Sequence, residues 1–156
     1  MTHYADLAPC NYFTPNHDGK LLAVGWLSRW RRYSRGAVSD DVVARIHQLL
    51  VDPWEPGGFL GWHDCNFCRV TNGPRQLTLD NVTVHLGISN LFIPTVDRLF
   101  VAPSLILHYI DAHDYSPPQD FFDAVMACPD MRSMDYLKLI REVAPPALFS
   151  GNETEM

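Results

Sequence analysis

The sequence has no apolar run approaching the roughly 18 residues that a membrane-spanning helix needs, so neither a bilayer span nor a membrane partner is expected. Its start, Met1-Thr2-His3-Tyr4-Ala5-Asp6, lacks the basic and apolar regions of a secretory signal. The expected location is therefore the cytoplasm, where thiols stay reduced. Positive charge is in deficit: 12 Lys and Arg stand against 18 Asp and Glu, for a formal net charge of −6. That balance weighs against general nucleic-acid binding, which favours basic faces. H-E-x2-H, H-x-E, G-x-S-x-G and a phosphate loop are all absent, which removes the common signatures of zinc proteases, zinc deaminases, α/β-hydrolases and P-loop enzymes. No internal repeat, low-complexity tract or second domain is visible. With 156 residues, 47% of them hydrophobic, the chain has the material for one core. The expected organisation is a single domain over residues 1–150 with a disordered tail at 151–156.

Cysteine is scarce, with four in the chain, yet two of them are concentrated. Cys65 and Cys68 form a C-x2-C step in Gly61-Trp62-His63-Asp64-Cys65-Asn66-Phe67-Cys68-Arg69. About forty residues later, Ser104-Leu105-Ile106-Leu107-His108-Tyr109-Ile110-Asp111-Ala112-His113 carries an H-x4-H step on an apparent helix. Two thiolates and two imidazoles at these spacings are the ligand set of a tetrahedral Zn2+ ion, so Cys65, Cys68, His108 and His113 are the candidate ligands. On a straight helix, histidines five apart point about 140° away from each other. The helix is therefore expected to tighten or end near His113. His63 and Asp111 are candidates for an alternative ligand or for a group that bonds a ligand from outside the metal shell. A redox role for the C-x2-C pair would need a helix to start there, and Arg69-Val70-Thr71-Asn72-Gly73-Pro74 does not read as helical. Cys10 and Cys128 stand alone and are expected to be unbridged, buried small hydrophobes.

Along the chain, residues 1–19 read as an irregular arm docked by Tyr4, Leu7, Tyr12 and Phe13, and Leu21 to Leu27 as a buried strand. Arg29, Trp30, Arg31, Arg32, Tyr33 and Arg35 then interleave four arginines with two aromatics. Such a loop is either solvated or a contact surface for an acidic partner or phosphates, because arginine forks and aromatic planes serve both. Ser39 is expected to cap a helix with Val42, Val43, Ile46, Leu49 and Leu50 inward and to stop near Pro53. His47, beside that stripe, is expected to be satisfied within the helix packing. Phe59, Leu60 and Trp62 suggest a short strand or apolar collar. Strands are expected at 82–86, 90–94 and 98–102, with the valines and leucine of the first on one face and His85 on the other. Pro103 and Ser104 are expected to open the histidine-bearing helix. Further helices are expected over 119–127, with Phe121, Phe122, Val125 and Met126 inward, and after Ser133, with Met134, Leu137, Ile140 and Arg141 at helical spacing.

The pieces Leu22-Ala23-Val24-Gly25-Trp26-Leu27, Gly61-x-His63-x-Cys65-x2-Cys68 and Leu107-His108-Tyr109-x3-His113-x-Tyr115-x-Pro117-Pro118-x2-Phe121 resemble a family of small uncharacterised bacterial proteins, over roughly residues 4 to 127. The resemblance implies a bacterial cytosolic domain whose Cys and His motifs act together, and it implies no activity. The 29–35 loop departs from the family pattern. The expected fold is α+β: a small, largely antiparallel sheet, three or four helices and a zinc knuckle. The leading functional expectation is a zinc-stabilised module that binds another protein, in an immunity or adaptor role by analogy. One alternative is a zinc-dependent hydrolase with an open Cys/Cys/His site and His63 or Asp111 as base. Another is nucleic-acid binding through the 29–35 loop.

Overall fold

Two five-residue apolar runs form the centre. In the computed structural model, which describes residues 2–13, 19–56, 63–68 and 70–150, β4 (Asn90–Pro94) and β5 (Leu99–Pro103) pair antiparallel, Asn90 opposite Pro103 and Pro94 opposite Leu99. Every residue of both strands is buried. Continuous burial of this kind means that both sheet faces are covered. The connection is closed by the Thr95 amide donating to the Arg98 carbonyl at 2.8 Å. β1 (Leu21–Ala23) lies on the other side of β5 and runs parallel to it, Leu21 opposite Leu99. The expected sheet is thus antiparallel in one pairing and parallel in the other. A separate two-stranded antiparallel sheet is made by β2 (Gln76–Leu79) and β3 (Val82–His85). The fold is α+β, with five helices and two small sheets among the described residues.

Alternation along β5 assigns the layers. Phe100 and Val101 point to opposite faces, and Phe92, opposite Val101, shares its face. On the Phe100 face sits α3 (Gln119–Ala127), whose Phe121 ring meets Phe100 edge-on at 6.0 Å. On the Phe92 face, Phe13 of the N-terminal arm and Trp54 approach at 5.2 and 5.4 Å. The arm is docked as the apolar residues suggested: Tyr4, Leu7 and Phe13 pack on the core, and Tyr12 leans on Trp26 at 5.1 Å. Trp26 is fully buried, and its indole N–H donates to the Val101 carbonyl at 3.0 Å.

Helix α1 (Asp40–Leu49) starts at Ser39, whose hydroxyl accepts from the Val42 amide at 3.4 Å, while Asp40 and Asp41 sit at its positive end. Val42, Ile46 and Leu49 are buried, and His47 bonds the Leu77 carbonyl at 3.3 Å. α2 spans Ile106–Ala112. Pro103 closes β5 instead of opening this helix, and Ser104 is a buried pin: its hydroxyl accepts from the Gly87 amide at 2.8 Å. In α3 the inward stripe is Phe121, Ala124 and Val125. Met126, expected inward, is 52% exposed, because it lies five residues, about 140°, beyond Phe121. In α4 (Met134–Val143), capped by Ser133, the buried stripe is Tyr136, Ile140 and Val143. Met134 and Leu137 are exposed there, since the Tyr136 hydroxyl donates to the Phe92 carbonyl at 2.7 Å and sets which face turns inward. A short α5 (Ala147–Ser150) follows Pro145-Pro146. In β3, Val84 is buried and Thr83 and His85 are exposed, but Val82 is exposed beside the Asp80-Asn81 turn. The suggested collar at Phe59, Leu60 and Trp62, and the tail at 151–156, lie outside the described residues.

The two tryptophans nearest the 29–35 loop have opposite environments, which gives a direct test. Trp26→Ala should cost about 3–5 kcal/mol of unfolding free energy, as large aromatic deletions from packed cores do. Trp30, which is 76% exposed, should change stability by less than about 0.5 kcal/mol when replaced by alanine. Urea denaturation of the two variants checks both values.

Candidate metal centre

The cysteine knuckle is built by backbone bonds. The Cys65 amide donates to the Asn72 carbonyl at 2.9 Å, the Cys68 amide to the Cys65 carbonyl at 3.3 Å, and the Asn72 amide to the Cys68 carbonyl at 2.8 Å. The chain then turns through two consecutive left-handed residues, Asn72 (φ 61°) and Gly73 (φ 85°). Gly73 passes so close to the knuckle that a Cβ there would stand 2.7 Å from Cys65 Cβ and 3.6 Å from His108 Nε2. Only glycine meets both the conformation and the space. The knuckle is also tied to the turn after β3, through the His63 amide donating to the Gly87 carbonyl at 2.7 Å.

The histidines come from the end of α2. His108 is inside the helix and buried, and His113 is its C-cap, at φ −121°, with its amide bonded to the Tyr109 carbonyl at 3.1 Å. Leaving helical geometry at His113 cancels the divergence that five helical steps would impose. Asp114 follows in the left-handed region (φ 56°), and the chain folds back so that the Tyr115 amide also reaches the Tyr109 carbonyl. The Tyr115 hydroxyl donates to Asp6, which fixes the return.

These two segments bring four donor atoms together. Cys65 Sγ is 3.4 Å from His113 Nε2, Cys68 Sγ is 3.3 Å from His108 Nε2 and 3.6 Å from His113 Nε2, and the two Nε2 atoms are 3.2 Å apart. All four lie within 4.8 Å of one another, positioned to bind a metal ion. The imidazole planes are perpendicular, with centroids 4.9 Å apart. Phe67, between the cysteines, lies 4.9 Å from the His113 ring and 5.9 Å from Tyr109, an apolar wall beneath the cluster.

The electrostatics suit a cation. Burial pushes the Cys65 thiol up to about 11, although the Phe67 and Cys68 amides directed at its sulfur pull the other way. Burial lowers the pKa of His108, and the His113 charge lowers it further; the exposed Asp111 acts on it only as a weaker, opposing charge. His113 is also lowered by burial, and by the Arg35 guanidinium. Both rings are thereby kept neutral, the form that coordinates metal. His63 stands outside the group of four; its half-buried ring faces Tyr12 at 6.3 Å, and burial lowers its pKa too. Cys10 and Cys128 are free and buried, each pushed up to about 11 by burial.

The 29–35 loop adjoins this centre. The Tyr33 hydroxyl donates to the His113 carbonyl at 2.8 Å, and its ring meets Phe67 edge-on at 5.6 Å. The Gly36 amide donates to the Asp114 carbonyl at 3.0 Å, and the Ser116 amide to the Ser34 carbonyl at 2.9 Å. Trp30 and the arginines stay exposed. Sequence reasoning did not find Gly73 as a wall of the centre or Tyr33 as the clip of the loop. Arg69 to Pro74 read as a non-helical stretch, and nothing in Tyr33's neighbours announces an acceptor eighty positions away.

A family model for a domain of unknown function, DUF7919, matches residues 2–126, and the chain belongs to that family. The match takes in the knuckle, α2 and the 29–35 loop. Neither the curated proteins nor the solved structures contain a match.

Gly73→Ala should reduce metal loading and stability together, with about 1–2 kcal/mol lost to the left-handed backbone alone and more to the Cys65 clash. Metal content per folded chain and the urea midpoint report it. Acid should also release metal. Each histidine has a folded pKa below its unfolded value near 6.5, so its contribution is fully present above about pH 6.5 and is lost as pH falls through the lowered folded value. Chromogenic metal release should therefore rise on acidification and stay flat on moving to mildly alkaline pH.

Proposed function

We propose that this chain is a zinc-stabilised interaction module of the bacterial cytosol, with Cys65, Cys68, His108 and His113 holding the ion and the 29–35 loop meeting a protein partner. The observation that carries the reading is the convergence of four side-chain donors from two distant segments. Zinc bonds of about 2.0–2.1 Å to nitrogen and about 2.3 Å to sulfur imply tetrahedral edges of about 3.3–3.8 Å. Four of the six donor separations, at 3.2–3.6 Å, lie at that scale. Two thiolates with two imidazoles match the borderline softness of zinc better than that of calcium or magnesium.

Four protein ligands leave no position for a metal-bound water, so a closed, structural site is favoured over hydrolysis. His63 and Asp111, the candidate bases of a hydrolase, are displaced from the donor group, the first toward Tyr12 and the second to the exposed side of α2. The loop is the better contact surface, because it sets an exposed tryptophan among arginines, a composition that interfaces favour. An adaptor or immunity role is consistent with a small acidic module of this kind. Among the described residues no helix is long and apolar enough to cross a membrane.

Elemental analysis of freshly purified protein should return one zinc per chain. Cys65→Ser and Cys68→Ser should give insoluble or unfolded protein, since structural zinc contributes on the order of 10 kcal/mol to the folding of small metal domains. Folded protein without a stoichiometric metal, or a Cys65→Ser chain that melts like the parent, would overturn the reading.

A further inference from the structure

Arg29 and Trp30 form a ridge between two concavities. The first, of about 420 Å³, is lined by Arg29, Trp30, Arg31, Arg32, Tyr33 and Arg35. The second, of about 470 Å³, is lined by Arg29, Trp30, Cys65, Asn66, Cys68 and Asn72, so it opens on the outer edge of the knuckle. Neither lining holds an acidic side chain, in a chain with 18 of them. Among the described residues no carboxylate pairs with the four loop arginines. The Arg29 guanidinium lies over the Trp30 ring at 4.4 Å and that of Arg35 over the Tyr33 ring at 4.8 Å, while Arg31 and Arg32 extend into solvent. Among the described residues, the cations of this stretch are thus left without anions of their own.

We propose that the two concavities are a single receptor for an acidic peptide segment of a protein partner. The segment lies across Trp30, with carboxylates in the arginine chamber and its remaining polar groups against the exposed amides of Asn66 and Asn72. The proposal rests on the loop being the contact surface and extends that surface onto the knuckle. Three features favour a peptide over a nucleic acid. The cationic stretch is seven residues, at most roughly 25 Å even if fully extended, which is short for a phosphate track. Outside the four loop arginines, 8 Lys and Arg stand against 18 Asp and Glu, a net −10 that repels a long polyanion wherever the track would continue. Guanidinium forks match carboxylates two oxygens at a time, and an exposed indole adds area at small entropic cost.

The test is fluorescence polarisation with the metal-loaded full chain and three labelled probes. These are a Glu/Asp-rich peptide, the same peptide with Gln/Asn in place of the acids, and a single-stranded oligonucleotide of equal charge. The acidic peptide should bind at least tenfold more tightly than its amide counterpart, and the Arg31→Ala/Arg32→Ala double variant should lose at least tenfold. Asn66→Asp should weaken binding several-fold and Asn66→Lys should strengthen it, each with the parent's metal content. If the Asn66 variants bind like the parent while the arginine variant does not, the knuckle is not part of the receptor and this inference fails with the loop reading intact. If the acidic peptide binds no better than the amide peptide, both fail. Binding of the oligonucleotide in preference to the acidic peptide replaces the partner class.

Discussion

The convergence of Cys65, Cys68, His108 and His113 is the constraint that the surrounding structure serves. Four atoms with lone pairs face one another within 4.8 Å, four of their pairs at 3.2–3.6 Å. Protons satisfy such a group poorly. Two neutral imidazole nitrogens 3.2 Å apart can share one hydrogen, and thiols are weak donors. A divalent cation satisfies all four at once and deprotonates the thiols as it binds. The local choices that look costly alone follow from this. Two left-handed residues in a row at 72–73, a buried hydroxyl at Ser104 pinning the Gly87 amide, and a helix ended after seven residues each place one donor within reach of the others.

The same centre organises its surroundings. α2 emerges from the central strand β5, so the histidines are referenced to the most buried part of the sheet. The knuckle is referenced to the β2–β3 hairpin through Gly73 on one side and Gly87 on the other. The 29–35 loop has no regular structure of its own beyond a single bridge, Arg35 to Tyr115. It is held by bonds to His113, Asp114 and Ser116, the segment that leaves the donor cluster. Loop geometry and ligand geometry are therefore coupled through Tyr33, which contacts the His113 carbonyl and the Phe67 ring together. Any free energy that orders one side of that contact lowers the cost of ordering the other, and the effect is reciprocal.

Much of the fold was legible where local chemistry decides it. Ser39 and Ser133 announced helix starts, and both caps accept the expected amides. The runs at 90–94 and 98–102 were legible as strands from their composition, the second displaced by one residue from β5. The convergence of the four candidate donors was legible because the spacing of thiols and imidazoles is itself the signal, and even the ending of α2 at His113 follows from the 3.6-residue period. What escaped was set by distance. β2 has alternation too weak to read alone, and its partner across the Asp80-Asn81 turn is what makes it a strand: both turn residues are left-handed, as a tight hairpin needs. The parallel β1–β5 pairing joins residues nearly eighty apart. The inward face of α3 was misjudged at Met126, which lies about 140° beyond Phe121, and in α4 helical spacing left the inward face open until the long-range bond from Tyr136 to Phe92 set it.

The cysteines themselves argue for ligation over thiol chemistry. A redox or nucleophilic cysteine needs a thiolate near neutral pH, which requires a helix N-terminus or a neighbouring cation to depress the pKa. Cys65 lies on a turn, in surroundings whose dominant effect is burial, and its thiol is pushed up to about 11. Cys10 and Cys128 are pushed to about the same value by the same cause, and among the described residues neither belongs to a group of three or more candidate ligands. Burial alone would make Cys10, Cys65 and Cys128 inert. What separates Cys65 and Cys68 from the other two is the pair of imidazoles kept neutral beside them. A neutral imidazole could activate one thiol as a base, but two imidazoles and two sulfurs converging within 4.8 Å of one another are the donor set of a tetrahedral metal site.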